Sequence, residues 1–261
     1  MTIQFTSKKV GELLKEGNLR IPSYQRPYKW NRKHIRNLFY DLRDAMGKKE
    51  YQIGSVILHE NDGYDIVDGQ QRLISISLFL HLLDRLENYK GAKQLLSAAV
   101  FGELSCYHSS ENYNEWENLT QLVGENQAKD ICNFLLENCS VSVITMPKKR
   151  LSEAFQLFDS QNNRGKSLEP HDLLKAYHLR KEDTEDERIV EKWEQFVEDK
   201  DLSLKELFDK HLFRMRRWSR GETGLTNKRY GSYLRFTEDF IDDFKGVDLN
   251  QNFPYLELYR H

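Results

Sequence analysis

The stretch Tyr64–Leu83, YDIVDGQQRLISISLFLHLL, constrains the fold more than any other part of the chain. Tyr64 to Val67 has the apolar, β-branched character of a strand, whereas from Gln70 onward Leu73, Ile76, Ser77, Leu80 and Leu83 recur at helical spacing. The period changes inside five residues, Asp68-Gly69-Gln70-Gln71-Arg72, so a strand must pass almost directly into a helix. Both flanks are apolar enough to be buried. The polar residues between them either finish the helix or serve a ligand.

The preceding residues complete a hairpin. Val56-Ile57-Leu58 and Tyr64 to Val67 are separated by a turn rich in Asn, Asp and Gly at Asn61 to Gly63. Upstream, TSKKVGELLKEGN predicts a short helix stopped at Gly17-Asn18, followed by a segment that Pro22 and Pro27 hold extended. Asn31 then caps a helix whose inward face is Ile35, Leu38, Phe39, Leu42 and Met46. Beyond residue 90 the pattern predicts helices near 91–100, 112–122 and 126–138, with SVSVITM adding one strand to the earlier sheet. A further helix, polar loop and helix span LSEAFQLFDSQNNRGKSLEPHDLLKAYHLRK, and charged helices follow over most of 185–245. KEDTEDER is either an internal linker or a solvated helix start. These elements define an α+β fold, divided into a core at 1–90 and a mainly helical region at 91–261.

Hydrophobic residues make up 39% of the chain and charged residues 31%, a balance that excludes a disordered chain. No apolar run reaches the about 18 residues a membrane span requires, and MTIQFTSKKVGELLKEG lacks a signal-peptide centre, so the expected location is the cytoplasm with no membrane partner. Cys106, Cys132 and Cys139 have neither disulfide-framework nor zinc spacing and are expected to be reduced thiols. The net charge of -2 neither requires nor excludes a polyanionic partner, because local patches decide such binding.

Three polar clusters could carry chemistry. At the strand-to-helix junction, Gly69 lets a ligand approach the backbone and the first N–H groups of the helix favour an anion, phosphate above all. Arg72 offers a fork for phosphate oxygens, Gln70 and Gln71 could hydrogen-bond a nucleotide or orient water, and Asp68 could hold a divalent cation or act as a base. The alternative is a capped helix in which Asp68 satisfies backbone N–H groups and Arg72 makes a surface ion pair. In IPSYQRPYKW, two prolines present Tyr24, Gln25, Arg26, Tyr28, Lys29 and Trp30, which suit base stacking and phosphate pairing but could equally be half-buried aromatics beside a solvated arginine. The third cluster, Asn162-Asn163-Arg164-Gly165-Lys166, is an interhelical turn in which positive charge gathers.

These segments, in this order, resemble the N-terminal domain of GmrSD-type modification-dependent restriction systems and their phage-defence relatives, over roughly residues 3–180. The resemblance rests on IPSYQRPYKW, on GSVIL with YDIVDGQQRLISI, and on FQLFDSQNNRGKSLEPHDLLKAY. It implies a small ParB/sulfiredoxin-like mixed sheet whose strand–Gly–helix junction cradles nucleotide phosphates, followed by a mainly helical region. It further implies a magnesium ion (Mg2+) with a nucleoside triphosphate, and hydrolysis that regulates cleavage of modified DNA. On this basis Asp68, Gln70 and Gln71 are the expected catalytic residues, with Asp68 also the metal ligand. Gly69, Arg72, Tyr24, Gln25, Arg26, Asn162, Arg164, Gly165 and Lys166 are the expected nucleotide and phosphate ligands. A DNA-binding sensor without turnover, or a ParB-like nuclease, would use the same cleft.

Two departures from the family pattern matter. Relatives carry Thr-Thr after the Arg-Leu of the motif, whereas Ile74-Ser75 stands here, removing a hydroxyl from the first position. Relatives also append a His-Asn-His nuclease, but from residue 178 to residue 261 there are only scattered His178, His211 and His261. Cleavage is therefore expected from a separate nuclease subunit or from a domain missing here. Finally, FRMRRWSRGETGLTNKRY gathers Arg214, Arg216, Arg217 and Arg220 beside Phe213 and Trp218, a positive strip suited to DNA phosphate unless nearby acidic helices neutralise it.

Overall fold

The computed structural model describes residues 3–22, 25–99, 103–148, 192–193, 195–196, 207–219 and 221. In chain order, β1 (Gln4–Lys9) and α1 (Val10–Lys15) precede a two-residue β2 (Leu19–Arg20) and α2 (Arg32–Ala45). The hairpin β3 (Tyr51–Glu60) and β4 (Tyr64–Asp68) leads through Gly69 into α3 (Gln70–Leu82). Three helices follow, α4 (Lys90–Ala99), α5 (Glu103–Val123) and α6 (Glu125–Glu137), and β5 (Cys139–Met146) returns to the sheet. A π-helical turn at Leu207–Leu212 and α7 (Phe213–Trp218) are described farther on.

The sheet is mixed, in the order β1-β5-β3-β4-β2. β5 lies parallel to β3 and antiparallel to β1, β3 and β4 are antiparallel, and β2 runs parallel to β4. With helices packed on this sheet the fold is α+β, as the sequence predicts. SVSVITM does add a strand, and it lies inside the sheet rather than at its margin. β1 was not anticipated, because an edge strand whose first four residues are exposed carries no apolar alternation to betray it.

α2 follows its capping rules: the Asn31 side chain accepts from the Lys33 N–H at 3.1 Å, and Ile35, Leu38, Phe39, Leu42 and Ala45 are buried. Met46, expected on that inward face, stands past the helix end and is 37% exposed. α3 also departs from expectation. Every residue from Leu73 to Leu80 is buried, so the helix has no solvated face over this length. It packs against both α4 and α5 and sits within the core, where a one-sided apolar stripe is not required. Trp116 of α5 stacks on Phe79 at 4.4 Å, meets Phe39 edge-on at 6.3 Å, and donates its indole N–H to the Ser75 carbonyl.

α5 begins nine residues before the predicted start. Its first turns, rich in Ser, Cys, Tyr and His, have weak helix propensity, and tertiary packing prevails: Ser105 and Asn112 are buried against the segment preceding α2. Cys106, Cys132 and Cys139 are free thiols, and burial pushes Cys132 up to about 11 and Cys139 up to about 12, so neither is a ready nucleophile.

The chain forms two compact units, Met1–Ser167 and Leu168–His261. The helices after residue 90 that are described here as α4 to α6 belong to the first unit. The KEDTEDER segment and the helix–loop–helix around Asn162 lie outside the described residues.

Candidate anion site at the β4–α3 junction

Gly69 makes the turn from β4 into α3 with φ of 94°, a left-handed conformation that side chains resist. A Cβ there would also stand 2.9 Å from Val56 Cγ2 and 3.3 Å from the Ser55 carbonyl oxygen. The junction is therefore pressed onto β3, and only glycine fits. Having no side chain, Gly69 makes no side-chain cap bond to the N–H groups of the first turn.

Arg72 turns back from that first turn onto β3. At Gly54 the β3–β5 register slips between Gln52 and Ser55, and φ reaches 121°. A Cβ at Gly54 would lie 2.8 Å from Arg72 Nη1 and 3.0 Å from both Cζ and Nη2, near-equal distances that place the face of the guanidinium over the bare backbone. Nη1 reaches the Ser55 carbonyl at a long 3.4 Å. Among the described residues no carboxylate comes within 4 Å of the group. Burial pushes its pKa below the ordinary guanidinium value, and the charge of Asp68 partly offsets this. Among the described residues the ion pair of the capped-helix alternative is not made, whereas its other half is met in part, since the Asp68 carboxylate accepts from the Gly69 N–H.

Asp68 ends β4 half-buried. Burial raises its pKa, opposed by a hydrogen bond from the Gly69 N–H and by the charges of Arg72 and Arg26. One carboxylate thus faces two guanidinium groups, which leaves a local excess of positive charge. Gln70 is 5% exposed; its Nε2 donates to the Arg26 carbonyl at 3.3 Å, while Oε1 is buried with no partner. An unpaired buried amide oxygen costs about 1–3 kcal/mol, a penalty consistent with an acceptor kept for a ligand or water.

The segment carrying Arg26 is fastened to this junction by side chains. Gln25 Nε2 donates to the carbonyls of Ile66 at 2.9 Å and Val67 at 2.7 Å, continuing along β4 where β2 stops. Gln71 Oε1 accepts from the N–H groups of Lys29 and Trp30, and its Nε2 donates to the Pro27 carbonyl. Tyr28 is buried; its hydroxyl meets Ser75 Oγ at 2.6 Å and accepts from Asn112 Nδ2 at 2.8 Å, and burial pushes its pKa up to about 12. Ser75 in turn donates to the Gln71 carbonyl. The hydroxyl absent at Ile74 is thus present one residue later, in a structural role.

Of the expected site residues, Asp68, Gly69, Gln70, Arg72 and Arg26 come together, whereas Gln25 and Gln71 have their amides committed to holding the segment. Tyr24, Asn162, Arg164, Gly165, Lys166 and Arg220 lie outside the described residues. Arg216 and Arg217 lie on α7, and Arg214 on the same helix has a buried Nε without a partner. Gly54 was overlooked, although a glycine inside an otherwise apolar strand pattern, IGSVIL, is itself a signal for a bulge or a close approach. Among the described residues no group of three His, Cys, Asp or Glu side chains could hold a metal ion, and no helix is long and apolar enough to cross a membrane.

Fold and junction define an α+β domain built around a glycine turn with two converging arginines. The chain belongs to the family described as GmrSD restriction endonuclease, N-terminal domain, whose model matches residues 10–179. Membership fits a restriction or phage-defence protein. Residues 185–261 match a second family model, a family of unknown function, DUF7834. No curated protein matches the chain.

Proposed function

We propose that this chain is a nucleotide-binding, nucleotide-hydrolysing regulatory module of a DNA-modification-dependent restriction or phage-defence system. The observation that carries the reading is Arg72: a half-buried guanidinium over Gly54, at the first turn of a helix whose N-cap is a glycine, with no carboxylate within 4 Å among the described residues. A permanent charge held in that way is stabilised by an incoming anion, and phosphate oxygens match its donors.

Each residue then has a distinct task. Arg72 and the N–H groups of Gln70 and Gln71 bind phosphate oxygens, and Arg26 supplies a second positive charge across Asp68. Gln70 Oε1 accepts a hydrogen bond from a water or a ligand amino group. Asp68, its pKa raised by burial, takes a proton from that water or faces a cation. The donor set fits magnesium only as an ion brought in by phosphate, since a single carboxylate with phosphate oxygens and waters is a common Mg2+ environment. Bound there, the ion would neutralise charge on the transferring phosphoryl group. Gln71, Gln25 and Tyr28 act as positioning residues that hold the Arg26 segment against α3.

Titration of the purified chain with ATP, GTP, CTP and UTP in the presence of magnesium, followed by an assay for released phosphate, tests this reading. Saturable binding that Arg72→Ala weakens about ten- to a hundredfold, with phosphate release that Asp68→Asn abolishes, is the expected result. A chain that binds DNA through the same junction, and neither binds nor hydrolyses any of the four nucleotides, would be a sensor without turnover and would overturn it.

A further inference from the structure

A second face, distinct from the anion site, stands at the start of α2. Residues 26–40, RPYKWNRKHIRNLFY, contain five arginines and lysines and no acid, in a chain where acids outnumber these bases by 41 to 39. The positive charges here divide into two kinds. Arg32 and Arg36 are offset by acids on α5, at 2.7 Å to Glu111 and 2.5 Å to Glu115. Lys29 and Lys33 are exposed, and no carboxylate among the described residues lies within 4 Å of either. Among the described residues their charge is uncompensated.

Each lysine is followed in the chain by one ring of a stacked pair, Lys29 by Trp30 and Lys33 by His34. Trp30 and His34 are near-parallel, 13° apart with centroids at 5.3 Å. Trp30 packs its inner side on the core, so exposed His34 forms the outer layer. The main chain of Trp30 is fastened through its N–H to Gln71 and through its carbonyl to Asn112, and the His34 ring meets Asn31 through Nδ1 in the capping box of α2. A stacked ring pair in the same segment as two lysines with no carboxylate partner among the described residues suits an unpaired base and its phosphates, because any base presents a π-face. An acidic peptide would satisfy the lysines and leave the rings unused.

We infer that the face formed by Lys29, Trp30, Lys33 and His34 binds single-stranded nucleic acid, with the backbone along the lysines and a base on the Trp30–His34 stack. Gln71 of the junction fastens the main chain of Lys29 and Trp30, but the Arg72 guanidinium hydrogen-bonds to Ser55 and not to this face, so binding here and nucleotide binding at Arg72 are separable by substitution.

The test measures fluorescence anisotropy of a labelled oligothymidine and of a duplex over a range of salt concentrations, on the full chain. Lys29→Glu with Lys33→Glu is expected to weaken single-strand binding about tenfold or more and to reduce the slope of log affinity against log salt by about 1.4, two contacts at about 0.7 each. Lys29→Gln with Lys33→Gln provides the same reading if charge reversal impairs folding. His34→Gln keeps an acceptor for the capping box, removes the ring, and is expected to weaken the single strand about fivefold or more with the salt slope unchanged and duplex binding unaffected. Arg72→Ala is expected to leave oligonucleotide binding in place. The inference fails if the lysine variants leave the slope unchanged, if His34→Gln has no effect, if polyglutamate displaces the oligonucleotide equally well, or if Arg72→Ala abolishes binding.

Discussion

The guanidinium of Arg72 rests on the backbone of Gly54, so closely that a single methyl group at position 54 would stand 2.8 Å from Nη1. Two residues from different elements, one in the bulge of β3 and one in the first turn of α3, thus share a space that permits a side chain from only one of them.

Gly54→Ala is expected to displace Arg72 and to weaken nucleotide binding about tenfold or more. It also forces a side chain into φ of 121°, so a loss of stability of about 1–3 kcal/mol is expected as well. A double-mutant cycle with Arg72→Ala separates the two effects. The binding losses should be far from additive while the stability loss persists; additive binding losses would show that the contact does not position the arginine.

Arg72→Ala removes a group that has only one long hydrogen bond and no ionic partner, so the melting temperature should change little while nucleotide affinity falls about ten- to a hundredfold. Calorimetric titration beside a thermal melt checks both. A large fall in melting temperature with affinity preserved would return Arg72 to a purely structural role.

Gln71→Ala breaks three hydrogen bonds to the backbone of Pro27, Lys29 and Trp30 and is expected to destabilise the domain by about 1–3 kcal/mol. The specific signature is local: amide exchange in residues 26–30 should accelerate before the core strands respond. Uniform acceleration across the domain would argue against the tether.

Asp68 gives a pH dependence of known sign. Its folded-state pKa is raised, so ionising it costs stability as pH climbs through that value, and no cost remains below the ordinary carboxylate range of about 4. Asp68→Asn should therefore raise the melting temperature at neutral pH, the gain shrinking to nothing in acid. A variant less stable than the parent at neutral pH would mean that the carboxylate is held by partners stronger than its desolvation cost.

Much of this was legible in the sequence, for reasons that differ by element. The β4–α3 junction could be read because the period changes within five residues and the glycine marks the place. α2 could be read because Asn31 and a regular apolar face agree. β1 could not, since its pairing with β5 spans more than 130 residues and leaves no local trace. The buried start of α5 was hidden because Ser105 and Asn112 look like surface residues until Tyr28 and the Trp30 carbonyl are seen to be their partners. Gln25 and Gln71 were assigned to the ligand for a related reason: a side-chain amide that serves a distant backbone has the same composition as one that serves a nucleotide. Recognising Arg72 required only its place in the helix, whereas recognising Gly54 required knowing what lay above it.

Because Gln25 extends the edge of β4 with an amide rather than with main chain, the sheet ends in a removable fastening. Lifting the Arg26 segment would leave the ladder itself unbroken, and water could take over the carbonyls of Ile66 and Val67. A ligand that engages Arg26 would therefore pull on side-chain ties rather than on a strand, and each tie, from Gln25 and Gln70 to Gln71, can be removed singly by substitution.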